Sequence, residues 1–240
     1  MKAVILAGGE GRRLAPYTTV FPKPLVPIGN NPILEIIIRQ LTYYGFLDIV
    51  LCVGYLSELI RAYFQNGNEN HPGINLTYIK ETQPTGTAGS LRLIPDLNET
   101  FLVLNGDILT TLDYNKVVSY HKEKGGILTI GMHKKRIKFD LGVIETDKHN
   151  CLVSYNEKPE KVYEVSMGIY VYEPSVLEYI EPNTYLDFPN LVLRLLENGE
   201  KVVGYPCNNF WLDIGNQEDY AKAQEKFHLM KDKFLPSDVP

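Results

Sequence analysis

Apolar and polar positions fall into two textures along the 240 residues. In the first half, short apolar runs alternate with stretches of helical spacing. Lys2 to Leu6 reads as a strand. Ile33, Ile36, Ile37, Leu41 and Tyr44 recur at helical intervals, with Asn31-Pro32 as N-cap and first helical position and Gly45 as the stop. Asp48 to Val53 is a second strand. Leu59, Ile60, Tyr63 and Phe64 mark a second helix, with Ser57 as a candidate cap. Ile74 to Ile79 and Phe101 to Leu104 add two strands, and Ser90 to Ile94 reads as a helix between them. Such alternation predicts right-handed crossovers and a mainly parallel sheet, whose ligands sit beyond the carboxyl ends of the strands.

After about residue 112 the pattern changes. A helix near 114–123 and a strand over Ile127 to Met132 are followed by a hairpin, Leu141 to Glu145 with Leu152 to Asn156. Val165 to Tyr172 and Lys201 to Tyr205 read as strands, with helices over 174–180 and 188–197. A polar helix over about 217–231 follows the short Trp211-to-Gly215 motif. No linker, repeat or low-complexity stretch divides the chain. The expectation is one domain over 1–240 with antiparallel strands added to the sheet in this half.

Bulk properties narrow the class. A hydrophobic share of 44% with 22% charged residues suits a soluble globular protein able to bury a core. A net charge of −5 argues against a general nucleic-acid binder. Cys52, Cys151 and Cys207 are odd in number and far apart, so neither a disulfide framework nor a metal knuckle is expected. The N-terminus is too short in apolar residues for a signal peptide, and no 18-residue apolar stretch occurs. A cytoplasmic location with no membrane partner is expected. The sequons at Asn75 and Asn98 are then chance matches.

Against this background Ala7 to Pro27, AGGEGRRLAPYTTVFPKPLVP, stands out. Glycines that let the backbone approach phosphates, together with Arg12, Arg13 and Lys23, fit a loop that holds a highly charged anion. It is not the dinucleotide fingerprint, because the third glycine position after Gly9-Glu10-Gly11 is Leu14. It is not a Walker loop, because no Gly-Lys-Ser/Thr ending follows. The other unusual segments, Glu81 to Gly89 and Asn105-Gly106-Asp107, also follow predicted strands. Order along the chain alone therefore converges them on one sheet edge.

Gly8-Gly9-Glu10-Gly11-Arg12-Arg13-Leu14 with Pro22-Lys23-Pro24-Leu25 resembles the signature of the sugar-phosphate nucleotidyltransferases. The likeness continues in order through Gly86-Thr87-Ala88-Gly89, Asn105-Gly106-Asp107, Asn156-Glu157-Lys158-Pro159, Ser166-Met167-Gly168-Ile169-Tyr170 and Trp211-Leu212-Asp213-Ile214-Gly215. It is nearest to the mannose-1-phosphate guanylyltransferases. The resemblance implies a Rossmann-like three-layer α/β fold with a mixed, mainly parallel central sheet, of the glycosyltransferase-A-like type. It also implies a minimal catalytic domain without the β-helix domain that many relatives add, and it leaves a homodimer open. The implied reaction joins an NTP to a sugar 1-phosphate and releases pyrophosphate.

By this resemblance Leu6, Ala7, Gly8, Gly9 and Gly11 cradle the nucleotide. Arg13 holds the β- and γ-phosphates, where a planar guanidinium fork suits phosphate oxygens. Lys23 neutralises the α-phosphate and the attacking phosphate, with Pro22, Pro24 and Pro27 expected to keep the backbone around it extended. Asp107 and Asp213 are the implied Mg²⁺ ligands, a pairing typical of a hard cation that shares phosphates. Lys158 grips the sugar phosphate, Glu157 the sugar hydroxyls, and Gly142 lets the sugar approach the backbone. Ser166 stands where the family more often has Asn, which bears on the sugar. Arg12 and the cluster Lys134-Lys135-Arg136-Lys138 are expected in solvated loops.

The base falls to Glu81, Gly86 and Thr87. Relatives that use UTP or dTTP tend to carry Gln at the position of Glu81. A carboxylate offers acceptors only, which suits the N1–H and N2–H donors of guanine. GTP with a mannose- or heptose-type sugar 1-phosphate is the favoured reading. A uridylyl- or thymidylyltransferase acting on glucose 1-phosphate is the alternative. A non-catalytic nucleotide-sugar sensor and an alcohol-phosphate cytidylyltransferase are more distant.

Overall fold

The computed structural model describes residues 1–65, 73–81 and 83–236. Its strands are β1 (Lys2–Ala7), β2 (Pro27–Ile28), β3 (Asn31–Pro32), β4 (Asp48–Val53), β5 (Asn75–Lys80), β6 (Phe101–Asn105), β7 (Ile108–Thr110), β8 (Leu128–Lys138), β9 (Val143–Thr146), β10 (Leu152–Asn156), β11 (Glu160–Tyr172), β12 (Val202–Cys207) and β13 (Trp211–Asp213). The helices are α1 (Ile33–Tyr43), α2 (Ser57–Phe64), α3 (Gly86–Gly89), α4 (Tyr114–Lys124), α5 (Phe188–Glu197), α6 (Gln217–Leu229) and α7 (Lys231–Phe234).

Seven strands form the central sheet in the order β12-β8-β11-β6-β1-β4-β5. Every neighbouring pair is parallel except those of β11, which runs antiparallel to both β6 and β8. The sheet is thus mixed and mainly parallel, and the fold is the three-layer α/β arrangement expected. Period-two alternation along β1 sends Ala3, Ile5 and Ala7 into one core, with α1, α4 and the C-terminal helices. Val4 points into the other, with Leu191 and Leu195 of α5. Burial on both faces explains why the strands read as near-continuous apolar runs. No helix among the described residues is long and apolar enough to cross a membrane.

Several local expectations are corrected. Asn31 and Pro32 form a two-residue ladder with Pro27 and Ile28, and Pro32 is itself the residue before the helix. Ser57 is buried inside α2, whose preceding residue is Leu56 at φ +50°; Leu59 and Tyr63 face outward. The expected helix over 90–94 is a 3₁₀ turn, Ser90–Leu93, continuing from α3, and 174–179 is likewise 3₁₀. The polar C-terminal helix breaks at Met230. Prolines 22 and 24 do not keep Lys23 extended; Lys23–Leu25 is a 3₁₀ turn with extended backbone on either side.

The largest difference is in β8 and β11, which run well past the expected Ile127–Met132 and Val165–Tyr172. Their outer halves pair from Val165↔His133 to Glu160↔Lys138, beyond a register shift between Ser166 and Tyr170. Together with the β9–β10 hairpin they form an arm rich in exposed side chains. Lys134, Lys135, Arg136 and Lys138 therefore lie on a strand, not in a loop. Cross-strand pairing, not burial, orders them, so apolar periodicity carried no sign of it.

Candidate active site

Beyond β1 the chain turns through Gly8 and Gly9 into a 3₁₀ turn, Arg12–Leu14, anchored by fully buried Leu14. Gly11 adopts φ +64°, and a Cβ there would lie 2.9 Å from the Cβ of Lys23. Glycine at 11 is what lets the lysine stem pass. Lys23 is 9% exposed, and its amine donates to Asp107 Oδ2. Two further glycines admit the loop between neighbouring strand ends. A Cβ on Gly54 would meet the Gly8 carbonyl at 2.8 Å, and one on Gly106 the Leu6 carbonyl at 2.9 Å. At Gly9 the space is open, leaving backbone for a ligand to approach.

Asp107 and Asp213 are far apart in sequence yet adjacent in space. After Asp107 the chain forms β7, which pairs antiparallel with β13 in the register Ile108↔Asp213. The Ile214 N–H donates to the Asp107 carbonyl at 3.0 Å. Burial, then the charge of Asp107, raises the Asp213 carboxyl above its ordinary value, against the opposing pull of Lys23 and Arg13. Asp107 Oδ1 is buried with no hydrogen-bond partner. Both terminal guanidinium nitrogens of Arg13 lie 3.6 Å from where a Gly215 side chain would begin, which places the arginine head beside Gly215. Within β13, the Trp211 indole N–H donates to the Met167 carbonyl at 2.8 Å, tying this ladder to the bulged stretch of β11.

Arg13, Lys23, Asp107 and Gly215 line a cavity of about 480 Å³ together with Leu6, Ala7, Gly8, Gly9, Gly11, Glu81, Gly86 and Thr87, whereas Asp213 lies outside its lining. Glu81 Oε2 accepts from the Thr85 N–H at 3.0 Å and the Thr85 hydroxyl at 2.9 Å. Its other oxygen sits 3.0 Å from the position of a Cβ on Gly8, directly across from the glycine loop. Arg12 also borders the cavity but stays highly exposed and pairs with Glu10.

A further segment, 184–188, was not foreseen. Leu186 accepts from the Ala88 and Gly89 N–H groups at 3.0 Å and donates to Thr85 at 2.9 Å. Its carbonyl lies 2.5 Å from where a Cβ on Gly86 would fall, and Gly86 has φ +78°. Asp187 accepts from the Thr87 N–H at 3.3 Å, and the Phe188 N–H donates to the Thr87 hydroxyl at 2.8 Å. Asp187 and Tyr185 thereby join the cavity wall. The sequence signal was Asp187-Phe188-Pro189, a helix start; its distance along the chain hid where that start is placed.

Not every anticipated residue comes to the cavity. Gly142, Glu157 and Lys158 lie at the arm, outside the residues that line it. The space beside Gly142 is filled by the chain itself, since a Cβ there would be 2.3 Å from the Tyr155 hydroxyl. That hydroxyl donates to Glu157 at 2.7 Å, and Lys158 is exposed at φ +45°. Ser166 is at the inner end of the arm, on a second, mainly apolar chamber of about 600 Å³ that shares Thr87 and Asn105 with the first.

A glycine loop with cations beside two carboxylates lies at the carboxyl edge of a mostly parallel sheet, the usual place for a ligand in an α/β protein. The comparisons narrow the class. The chain belongs to the nucleotidyl transferase family, whose sequence profile matches residues 2–229. It is 34% identical to a UTP–glucose-1-phosphate uridylyltransferase of Synechocystis sp., covering 93% of this chain and 62% of the relative. It is 33% identical to the mannose-1-phosphate guanyltransferase of Saccharomyces cerevisiae, covering 93% and 63%. The chain thus spans about three fifths of the length of these relatives. The crystal structure of HddC from Yersinia pseudotuberculosis complexed with GMP-PN superposes with a TM-score of 0.72 at 27% identity, covering 94% of this chain and 99% of that one.

Proposed function

We propose that the chain transfers a nucleotidyl group from an NTP to a sugar 1-phosphate. The observation that carries this reading is the meeting of Lys23, Asp107 and Asp213 beside the glycine loop. An oxygen of the sugar 1-phosphate attacks the α-phosphorus in line. The new P–O bond forms as the bond to the β-phosphate bridging oxygen breaks, and pyrophosphate leaves with that electron pair. Two anions must meet, so neutralisation and positioning supply most of the rate.

Lys23, fixed by its pair with Asp107, places a cation where the two phosphates converge. Arg13, opposite Gly215, serves the departing pyrophosphate. Backbone at Gly8, Gly9 and Gly11 follows the triphosphate. The unpartnered Asp107 Oδ1 and the neighbouring Asp213 carboxylate fit a hard cation that takes its other ligands from phosphate and water. No cluster of three or more acidic, histidine or cysteine ligands occurs among the described residues. When bound there, Mg²⁺ would supply neutralisation of phosphate charge.

For the base, GTP is favoured. Thr85 holds one Glu81 oxygen, and the other, beside Gly8, is an acceptor of the kind suited to the guanine donors. A UTP- or dTTP-dependent reaction on glucose 1-phosphate is the second reading, supported by the name of the Synechocystis relative. Pyrophosphate release with GTP, UTP, dTTP, CTP and ATP, each paired with mannose and glucose 1-phosphates, separates them. A preference for UTP or dTTP overturns the GTP assignment. Glu81→Gln is expected to lower kcat/KM for GTP about tenfold more than for UTP; equal effects would remove Glu81 from base reading.

A further inference from the structure

The second chamber is unlike a usual sugar site. Its walls are Ile130 of β8, Tyr170 of β11, and Phe188, Pro189, Val192 and Leu193 of α5. Successive turns of α5 bring its four side chains to one side of the helix. The Phe188 ring packs on Tyr170 at a centroid distance of 4.0 Å. Leu191 and Leu195 of the same helix are fully buried in the core. Leu193, in contrast, remains 56% exposed at the chamber. An apolar wall left uncovered in a concave surface marks a ligand.

The Ser166 and Thr87 hydroxyls at the chamber are already engaged within the chain. Ser166 donates to the Tyr170 oxygen at 3.2 Å and accepts from the Gly168 N–H at 3.4 Å. The Thr87 hydroxyl accepts from the Phe188 N–H at 2.8 Å. A sugar hydroxyl entering between Val192, Leu193 and Ile130 would leave water without a replacement partner. A methyl group there would gain from burial.

Position ties the chamber to the reacting end of the substrate. It shares Thr87 and Asn105 with the cavity that holds the glycine loop. The charges of both Asp107 and Asp213 are felt at the Tyr170 hydroxyl, which burial first of all pushes up to about 12. The chamber thus adjoins the first cavity at Thr87 and at Asn105, two residues before Asp107.

Resting on the nucleotidyl-transfer reading above, we propose that this chamber receives an apolar exocyclic substituent of the sugar, making a 6-deoxy sugar 1-phosphate the preferred acceptor. Val192, Leu193 and Phe188 then determine specificity by offering that substituent an apolar surface.

The test compares mannose 1-phosphate with 6-deoxymannose 1-phosphate, which differ in one oxygen, using the triphosphate that the wild-type chain accepts. A kcat/KM ratio of about tenfold or more in favour of the deoxy sugar is expected, the range an apolar pocket reaches against an added hydroxyl. A ratio near one, or preference for the hydroxylated sugar, overturns the proposal and leaves nucleotidyl transfer standing. Pyrophosphate release with neither sugar, nor with any other sugar 1-phosphate tried, overturns both. Leu193→Gln, at an exposed position that folding tolerates, is expected to reduce the ratio severalfold by improving use of the hydroxylated sugar. An unchanged ratio in that variant would count against the chamber as the seat of selection.

Discussion

The floor of the site and the arm beside it are built on opposite terms. At the floor, Lys23 is nearly buried, Asp107 is held by it, and Asp213 is delivered by a strand pair that closes on Ile108. Buried chain or strand pairing sets the backbone position of each group. On the arm, Leu141 is 78% exposed, Gly142 is filled by the Tyr155 ring, and Glu157 and Lys158 face solvent. Two long strands are the arm's main attachment to the sheet. Groups proposed to meet phosphorus thus sit where the core dictates position, while groups expected to meet the sugar sit where little packing dictates anything. Chemistry that depends on charge placement needs the first kind of support. Recognition of a variable acceptor can work with the second.

The sharpest way to break this contrast is at the floor. Asp107→Ala should lower kcat by about 10³-fold or more, because it removes the partner of Lys23 and an expected cation ligand together. Excess chelator should bring wild-type pyrophosphate release to background. Unchanged turnover in chelator would remove the metal roles of both aspartates. Next in size is a paired test of glycines. Gly106→Ala presses a methyl on the Leu6 carbonyl and should destabilise the fold by about 1–3 kcal/mol. Gly142→Ala meets only a solvent-exposed tyrosine that can swing aside, and should change stability by under about 0.5 kcal/mol. Thermal unfolding of both variants measures the difference, and equal losses would contradict it. The smallest effect belongs to Lys158→Ala, expected to raise KM for the sugar phosphate about tenfold with little change in kcat. No change in KM would leave that lysine without a part in acceptor binding.

How much of this could be read from the residues follows the same division. Strands buried on both faces announced themselves as apolar runs, and their carboxyl ends located the glycine loop, Glu81 and Asp107. Convergence of Asp107 with Asp213 was not legible, since the β7–β13 pairing that joins them is three residues long and carries no periodic signal. The clasp of 184–188 on Gly86 was hidden for a related reason: it is made of backbone hydrogen bonds to Leu186, which leave no trace in side-chain pattern. The outer halves of β8 and β11 escaped because their stabilisation is cross-strand and their faces are both wet. Resemblance supplied the roles of Arg13, Lys23 and Asp107, which the cavity gathers, and equally those of Gly142, Glu157, Lys158, Ser166 and Asp213, which lie outside its lining. Expectations drawn from local chemistry fared best where burial enforced them.

The indole of Trp211 is the only tryptophan in the chain. It stands two residues before Asp213, with its ring nitrogen bound to the Met167 carbonyl and its ring 5.4 Å from that of His133 at the root of the arm. Floor and arm therefore share one intrinsic fluorophore. Its emission carries an optical record of events at either region, so occupancy of the site and displacement of the arm can be followed in the unlabelled protein, in real time and without turnover.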